Sequence, residues 1–114
     1  MEACVFCKIL AGEIPSTKVH EEDGIVAIRD LNPQAPVHVL LIPREHIADT
    51  NAIEEKHAAL IGRIHLAAAR AAEKLGVAKT GYRLVLNCGK QAGQTVFHIH
   101  FHLLGGRALA WPPG

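Results

Sequence analysis

A chain of 114 residues, 49% hydrophobic and 20% charged, is long enough to fold as a single domain around a buried core. Its net charge of +1 gives no electrostatic reason to bind nucleic acid or a membrane surface, and we expect neither as a partner. The sequence has no apolar run of membrane-spanning length and no signal peptide, so we expect a cytoplasmic location. The three cysteines, an odd number, argue against a disulfide framework.

The N-terminal segment carries the C-x-x-C pair of Cys4 and Cys7. This pattern is typical of half a zinc site or of a redox pair, and two thiols that only pack together are the third interpretation. A redox pair would need a strand before it and a long helix after it, and the surrounding sequence predicts neither. Residues 8–11 predict a short helix that ends at Gly12. Two short strands are then predicted, residues 18–21 and Ile25–Arg29, because an Asp-Gly dipeptide between them favours a hairpin.

The middle of the chain predicts one buried strand and one long helix. Val37–Pro43 is almost entirely apolar, which predicts a central strand covered on both faces, with His38 as its exception. Apolar residues from 53 to 75 recur at the spacing of a one-sided helix. Residues 51–54 have the form of a capping box at its start, and Gly76 is the expected stop.

The chain then reaches its most informative stretch, a row of alternating histidines. Residues 81–87 predict a strand, and a glycine-containing loop connects it to the row formed by His98, His100 and His102. Alternation is the period of a β-strand, so the three imidazoles should share one face, about 6.7 Å apart. The opposite face should then bury the apolar residues that separate them: Phe97, Ile99, Phe101 and Leu103.

Two chemistries suit such a row. The first is a catalytic zinc held by two of the histidines and a third ligand. The second is nucleophilic catalysis, in which a neutral imidazole attacks phosphorus and forms a covalent intermediate. Gly93, Gln94 and Thr95 come directly before the row and could supply donors for phosphoryl oxygens. No carboxylate lies in the row or in the loop before it, which argues against magnesium.

Residues 93–104, Gly-Gln-Thr-Val-Phe-His-Ile-His-Phe-His-Leu-Leu, resemble the signature of the histidine triad (HIT) family of nucleotide hydrolases and transferases. Residues 30–38 and 42–46 resemble the first half of the same domain. Residues 104–107 and the Trp-Pro-Pro-Gly of 111–114 are similar to the Hint branch of the family. The resemblance implies an α+β, HIT-like fold over residues 1–114: a five-stranded antiparallel sheet, one long helix and a short N-terminal helix. It also implies a homodimer, in which the tail tryptophan packs on a partner subunit.

The same resemblance implies catalytic roles for the histidines of the row and for His38. His100 would be the nucleophile, His102 would hydrogen-bond the phosphate, and His38 would join the relay behind them, with His98 completing the catalytic set. The implied reaction hydrolyses the P–N bond of purine nucleoside 5′-phosphoramidates of the adenosine 5′-monophosphoramidate type, with no cofactor needed for catalysis. The leaving amine would take a proton in the site, which suits a histidine whose pKa lies near 6.5.

The implied purine nucleotide ligand, of the AMP type, would be bound by a wider set of residues. Asp30 would bind the ribose hydroxyls. Asn32 departs from the serine common in the family, and Thr95 also replaces a serine that the family often has. The full nucleotide-binding set that the resemblance implies is Phe6, Ile9, Ile14, Ile28, Asp30, Leu31, Asn32, Asn87, Gly93, Gln94, Thr95 and Trp111.

Some family members with the N-terminal cysteine pair hold a structural zinc. Here the resemblance implies a closed Cys2His2 set of Cys4, Cys7, His46 and His98. The alternative is a site without metal in which the thiols only pack.

Three other functions stay open at this point. One is hydrolysis or nucleotidyl transfer on dinucleoside polyphosphates by the same triad. Another is zinc-dependent hydrolysis, with the histidine row as metal ligands. The last is a nucleotide-binding scaffold protein, whose role depends on a protein partner.

Overall fold

The computed structural model describes residues 3–114 and contains two α-helices and five strands. The helices are α1 (Val5–Leu10) and α2 (Ala58–Lys74). The strands are β1 (Lys18–Glu22), β2 (Ile25–Arg29), β3 (Val37–Pro43), β4 (Tyr82–Val85) and β5 (Phe101–Gly105). They form one sheet in the order β1-β2-β3-β5-β4, with every neighbouring pair antiparallel. The predicted fold class is confirmed.

The sheet is covered by a different helix on each face. Alternate residues of β2 and β3, such as Ala27 and Leu41, pack with the alanine-rich side of α2. The intervening residues, such as Ile28 and Ile42, pack with Phe6 of α1 on the other face. Val37–Pro43 is therefore a central strand between two apolar layers, as predicted. No helix within residues 3–114 has both the length and the apolar character needed to cross a membrane.

The ends of several elements depend on local hydrogen bonds. The Asp23-Gly24 turn has both central residues at positive φ, 45° and 76°, which is the two-residue hairpin turn that the dipeptide predicts. Helix α1 begins before the predicted residue 8, because Cys4 Sγ accepts a hydrogen bond from the Cys7 N–H and caps the first turn. Gly76, at φ 78°, ends α2 as predicted.

The predicted start of α2 is wrong. Residues 51–54 do not cap it. Residues 51 and 52 belong to a short 3₁₀ turn, Thr50–Ala52, and residues 53 and 54 connect it to a second one, Glu55–His57. Asp49 Oδ1 accepts the Ala52 N–H and closes the first turn. The buried His57 then accepts the Glu54 N–H at Nδ1, so the helix proper begins one residue later.

The histidine strand also begins later than predicted. Ile99, Phe101 and Leu103 are buried on the α2 face, as the alternation predicts, but β5 begins only at Phe101. Pro43, at the end of the neighbouring strand, has no N–H with which to continue the ladder. The Ile99 N–H instead donates to the carbonyl oxygen of Ile47. The predicted burial of Phe97 is wrong. Its side chain is 48% exposed, because residue 97 lies before the segment in which Ile99, Phe101 and Leu103 face α2.

Candidate active site

His38 and His102 meet on the sheet face that α1 covers. His38 lies opposite Leu104 and His102 opposite Leu40, so the two histidines are diagonal neighbours on adjacent strands. Their rings come together with His38 Nε2 2.9 Å from His102 Nδ1. Asp30 Oδ2 lies 3.4 Å from the same His38 nitrogen.

A main-chain group determines which nitrogens of this pair carry protons. The Gln34 N–H donates to His38 Nδ1 at 3.0 Å, so Nδ1 holds a lone pair and the neutral ring carries its proton on Nε2. His38 Nε2–H then donates to His102 Nδ1. His102 in turn carries its own proton on Nε2. The pair thus directs an N–H of His102 away from the relay, as a donor for a ligand.

His100 has the opposite tautomer to His38 and His102, with its proton on Nδ1. Its Nδ1–H donates to the carbonyl oxygen of His98 at 2.8 Å, so Nε2 holds the lone pair. Within residues 3–114, Nε2 has no hydrogen-bond partner, and the same residues contain no buried side-chain polar atom without one. The lone pair is therefore open to solvent. Phe6 packs edge-to-face on the ring, with centroids 4.8 Å apart, and restricts its rotation.

Burial keeps these imidazoles neutral near neutral pH. Burial, followed by the neighbouring imidazoles of His100 and His38, lowers the pKa of His102 to about 4. Burial also lowers the pKa of His38 and of His100, against the smaller opposing effects of Asp30 and of the His98 carbonyl. The pKa of His102 therefore lies well below the 6.5 of an ordinary imidazole. His102 is a neutral hydrogen-bond donor there, and His100 is a neutral base.

The relay is poorly suited to bind a metal, although Asp30, His38 and His102 lie close enough together to hold one. A metal on His38 Nε2 would displace the proton of that nitrogen to Nδ1. There it would face the Gln34 N–H, a second donor. The main chain thus favours a proton relay at these three residues over a zinc hydrolase site.

His98 belongs to a different cluster. Its ring is fully buried, and Nε2–H donates to the Pro43 carbonyl at 2.7 Å, so Nδ1 holds a lone pair. That nitrogen lies 3.4 Å from Cys4 Sγ, 3.5 Å from Cys7 Sγ and 3.1 Å from His46 Nδ1. Burial, and then the adjacent Cys4, raises the pKa of the Cys7 thiol.

The four side chains of this Cys2His2 cluster fit a zinc ion. In a tetrahedral site with ordinary Zn–N and Zn–S bonds, ligand nitrogens lie about 3.3 Å apart, and nitrogen and sulfur about 3.6 Å apart. The separations in the cluster, 3.1 to 3.5 Å, agree with this geometry. The bare Nδ1 of His98 is the donor type that zinc takes. Binding would displace the thiol protons.

The loop before the histidines is shaped by Gln94. The buried side chain donates from Nε2 to the carbonyls of Ala48 and Val96 and accepts the Gly89 N–H at Oε1. All its polar atoms thus hold the loop together. Thr95, by contrast, is exposed. It lines a cleft of about 400 Å³ with Ala3, Cys4, Val5, His46, Val96 and Phe97, beside the Cys2His2 cluster.

The other predicted nucleotide-binding residues differ in burial and in the elements that carry them. Phe6, Ile9 and Ile28 are brought together in one apolar cluster below His100. Leu31, 97% exposed, and the exposed Asn32 lie in the loop after Asp30, whose Oδ1 accepts the Asn32 N–H. Of the rest, Ile14 is half-buried after α1, Asn87 is half-buried beyond β4, Gly93 is exposed in the loop before the histidines, and Trp111 is 82% exposed.

Two residues outside the predicted set of site residues hold the Asp30 loop in place. Arg107 donates from Nε and Nη2 to the carbonyl oxygen of Gln34, at 3.2 and 2.9 Å. Gly106 has φ 88°, and a Cβ on it would lie 2.9 Å from Pro36 Cβ. The Gly-Gly-Arg directly after the histidine row was the sequence feature from which these two residues could have been found.

A family model of the HIT domain matches residues 11–109. The chain belongs to the HIT-domain family. A HIT family hydrolase from Legionella pneumophila has a similar structure, with a TM-score of 0.95 at 50% identity, covering 97% of this chain and 99% of that one. The purine nucleoside phosphoramidase of Escherichia coli is 46% identical over 95% of this chain and 91% of its own. Adenylylsulfatase HINT1 of Arabidopsis thaliana is 47% identical over 96% of this chain and 76% of its own length. The predicted family and its Hint branch are confirmed.

Two further similar proteins are described as binding zinc. A 14 kDa zinc-binding protein of Brassica juncea is 46% identical over 96% of this chain and 98% of its own length. A Zn-bound histidine triad protein of Mycobacterium smegmatis has a TM-score of 0.78 at 34% identity, covering 93% of this chain and 76% of that one. Zinc is thus found in the family.

Proposed function

We propose that this HIT protein hydrolyses purine nucleoside 5′-phosphoramidates through a nucleotidyl intermediate on His100. The observation that carries the proposal is the orientation of that ring. Its Nδ1–H is held by a main-chain carbonyl, and its Nε2 lone pair is open to solvent. A neutral imidazole oriented in this way is a competent nucleophile toward phosphorus. The similarity to a purine nucleoside phosphoramidase supports this substrate class.

The reaction would proceed in two displacements. His100 Nε2 attacks the phosphorus, and the P–N bond breaks with its electron pair moving to the amine, which takes a proton from solvent water. The Nε2–H of His102, held in place by His38, donates to a phosphoryl oxygen as charge develops there. Water then attacks the phosphorus, the bond to His100 Nε2 breaks, and the nucleoside monophosphate leaves.

The nucleotide would lie across the loop after β2 and the apolar cluster below His100. Asp30 would bind the ribose, since its carboxylate lies beside the relay in a loop that Arg107 holds. The exposed Gly93 and Thr95 would supply a main-chain N–H and a hydroxyl to the phosphate. Phe6, Ile9 and Ile28 would support the base.

Adenylyl sulfate is a second candidate substrate, favoured by two observations. One is the similarity to a relative named adenylylsulfatase. The other is the pKa of His102, which burial and the adjacent histidines lower to about 4. A neutral His102 is a weak proton donor, and a sulfate leaving group needs no proton whereas an amine does. The same attack by His100 Nε2 would serve both substrates.

We also propose that Cys4, Cys7, His46 and His98 hold a zinc ion with a structural role. The spacing of the four donor atoms and the bare Nδ1 of His98 support it, and with four protein ligands no position is left for substrate. Protein purified without chelator should contain one zinc per chain. A content well below that would remove the proposal.

A homodimer is the proposed assembly. Trp111 is 82% exposed, and β4 lies at an edge of the sheet with its outer main-chain groups available for pairing. Sedimentation should give twice the chain mass at micromolar concentration, and a monomer would contradict the proposal.

The deciding experiment is hydrolysis of adenosine 5′-monophosphoramidate and of adenylyl sulfate by the unchanged protein and by His100→Ala, with and without chelator. His65→Ala, which removes an exposed histidine of α2, is the matched control. Activity that persists in chelator at a level well above that of His100→Ala is expected. Complete loss with chelator, down to the level of His100→Ala, in a folded protein would favour zinc hydrolysis. Cleavage only of dinucleoside polyphosphates would favour that branch. No cleavage of any adenylyl compound would leave a nucleotide-binding scaffold.

A further inference from the structure

The nucleophile lies outside the regular sheet. His100 precedes β5, which begins at Phe101, so no strand ladder fixes its main chain. The Ile99 N–H donates to Ile47 and its side chain packs in the core on the α2 face, while the ring of His98 donates to the Pro43 carbonyl. The position of His100 thus depends in part on how firmly residue 98 is held.

Residue 98 contacts both centres at once. Its imidazole contributes Nδ1 to the Cys2His2 cluster, while its carbonyl oxygen accepts the Nδ1–H of His100. The Pro43 carbonyl and the cluster hold this ring at both nitrogens, and the ring in turn restrains the main chain of residue 98. A shift of that main chain would change the hydrogen bond that leaves the lone pair of His100 on Nε2.

A second connection runs through α1. This helix has only six residues, too few to be stable alone, and Cys4 and Cys7 attach it to the cluster at two points. Phe6 lies between the two cysteines, and its ring packs edge-to-face on His100 at 4.8 Å and on His98 at 6.1 Å. Holding the thiols in place therefore also holds the aromatic wall against the nucleophile.

We propose that the Cys2His2 cluster is a positioning device for the nucleophile: with metal bound, Cys4 and Cys7 fix His98 and Phe6, and these hold the ring of His100 in its attacking orientation. The metal ligands act without touching substrate. The inference rests on the proposed function for its kinetic consequence, but the ring orientation of His100 can be measured without any substrate.

The test compares zinc-loaded protein, chelated protein and the double variant Cys4→Ser/Cys7→Ser. The matched control is Cys88→Ser, which makes the same change at a half-buried cysteine outside the cluster. Nitrogen-15 NMR of the histidine rings reports the tautomer of His100. Zinc-loaded protein and the control should show a single form protonated on Nδ1, and loss of metal should give a mixture of tautomers. In the two metal-free preparations, kcat should fall roughly ten- to a hundredfold relative to zinc-loaded protein while KM stays within about twofold, because the orientation of His100 is lost and substrate binding is not.

The proposal is overturned if the tautomer of His100 and kcat are both unchanged in folded, metal-free protein, or if KM alone responds. If either metal-free preparation is unfolded by circular dichroism, Phe6→Leu replaces it, since this variant keeps all four ligands. It should retain one zinc per chain with a lower kcat, and an unchanged kcat would overturn the proposal. If no adenylyl compound is cleaved by any preparation, the proposed function fails, and the tautomer of His100 still decides the positioning role.

Discussion

Two clusters of histidines lie side by side in this protein, and they differ in how their protons are arranged. In the Cys2His2 cluster, the Pro43 carbonyl takes the only N–H of His98, so a lone pair points toward two thiols and a second histidine. In the relay of His38 and His102, the Gln34 N–H donates to His38 Nδ1, so each ring accepts a hydrogen bond at Nδ1 and donates one from Nε2. The comparison shows that one main-chain donor or acceptor determines whether an imidazole is suited to a metal or to a proton.

The largest effect is expected from deleting the proposed nucleophile. His100→Gly should lower the hydrolysis rate by at least about a thousandfold, because the covalent step is lost while the relay and the Cys2His2 cluster stay intact. Added imidazole should restore part of the rate by taking the vacant place. Zinc content should stay at that of the unchanged protein. A variant that loses zinc together with activity would mean that the two clusters are not chemically separate.

Metal removal should have the next largest effect, on stability. At free zinc about a thousandfold above its Kd, binding stabilises the folded chain by about 4 kcal/mol, and chelation should remove this contribution. Thermal unfolding with and without chelator measures it. His46→Ala should lose the zinc-dependent part of the stability and His38→Ala should keep it. The reverse result would show that the relay, and not the cysteine cluster, binds the metal.

Acid should destabilise the relay. Burial, and then the adjacent imidazoles of His100 and His38, lower the pKa of His102 from the ordinary 6.5 to about 4. Between these values the unfolded chain binds more protons, so the stability due to neutral His102 is complete above pH 6.5 and is lost as the pH falls toward 4. The loss should be on the order of 2–3 kcal/mol in the free energy of unfolding. Urea unfolding across this range should show a weaker pH dependence in His102→Asn, and an unchanged dependence would contradict the assignment.

The smallest effect concerns ligand binding. A bound phosphate places negative charge beside His102 and raises its pKa, so binding of AMP at mildly acidic pH should take up a fraction of a proton. The groups that face His102, namely His38, His100 and Asp30, share this charge. Calorimetry in two buffers of different ionisation enthalpy measures the uptake. Equal heats in both buffers, or the same uptake in His102→Asn, would contradict the prediction.

Much of the fold was predictable because local patterns and packing agreed. The alternation around the histidines assigned Ile99, Phe101 and Leu103 to the buried face, and the apolar run Val37–Pro43 predicted the central strand. The start of β5 was not predictable from alternation, because it depends on Pro43 of another strand having no N–H to offer. The true start of α2 depends in the same way on hydrogen bonds of Asp49 and His57 that no periodicity reveals.

The candidate site was predictable in its residue types but not in its proton arrangement. The sequence indicated that His38, His100 and His102 belong together. Their tautomers follow from the main chain of Gln34 and His98, and main-chain groups leave no signature in the side-chain sequence. Arg107 was missed for a related reason, since it acts on a carbonyl oxygen of the Asp30 loop from the far end of β5.

The contact between Gly106 and Pro36 has a consequence for attempts to alter substrate preference. A methyl group at residue 106 would collide with the proline ring, so this side of the loop cannot be enlarged or given a new side chain. Leu31 and Asn32, on the same loop, are exposed, and substitutions there meet no packed neighbour. A library aimed at a new base or leaving group should therefore vary residues 31 and 32 and leave residue 106 as glycine.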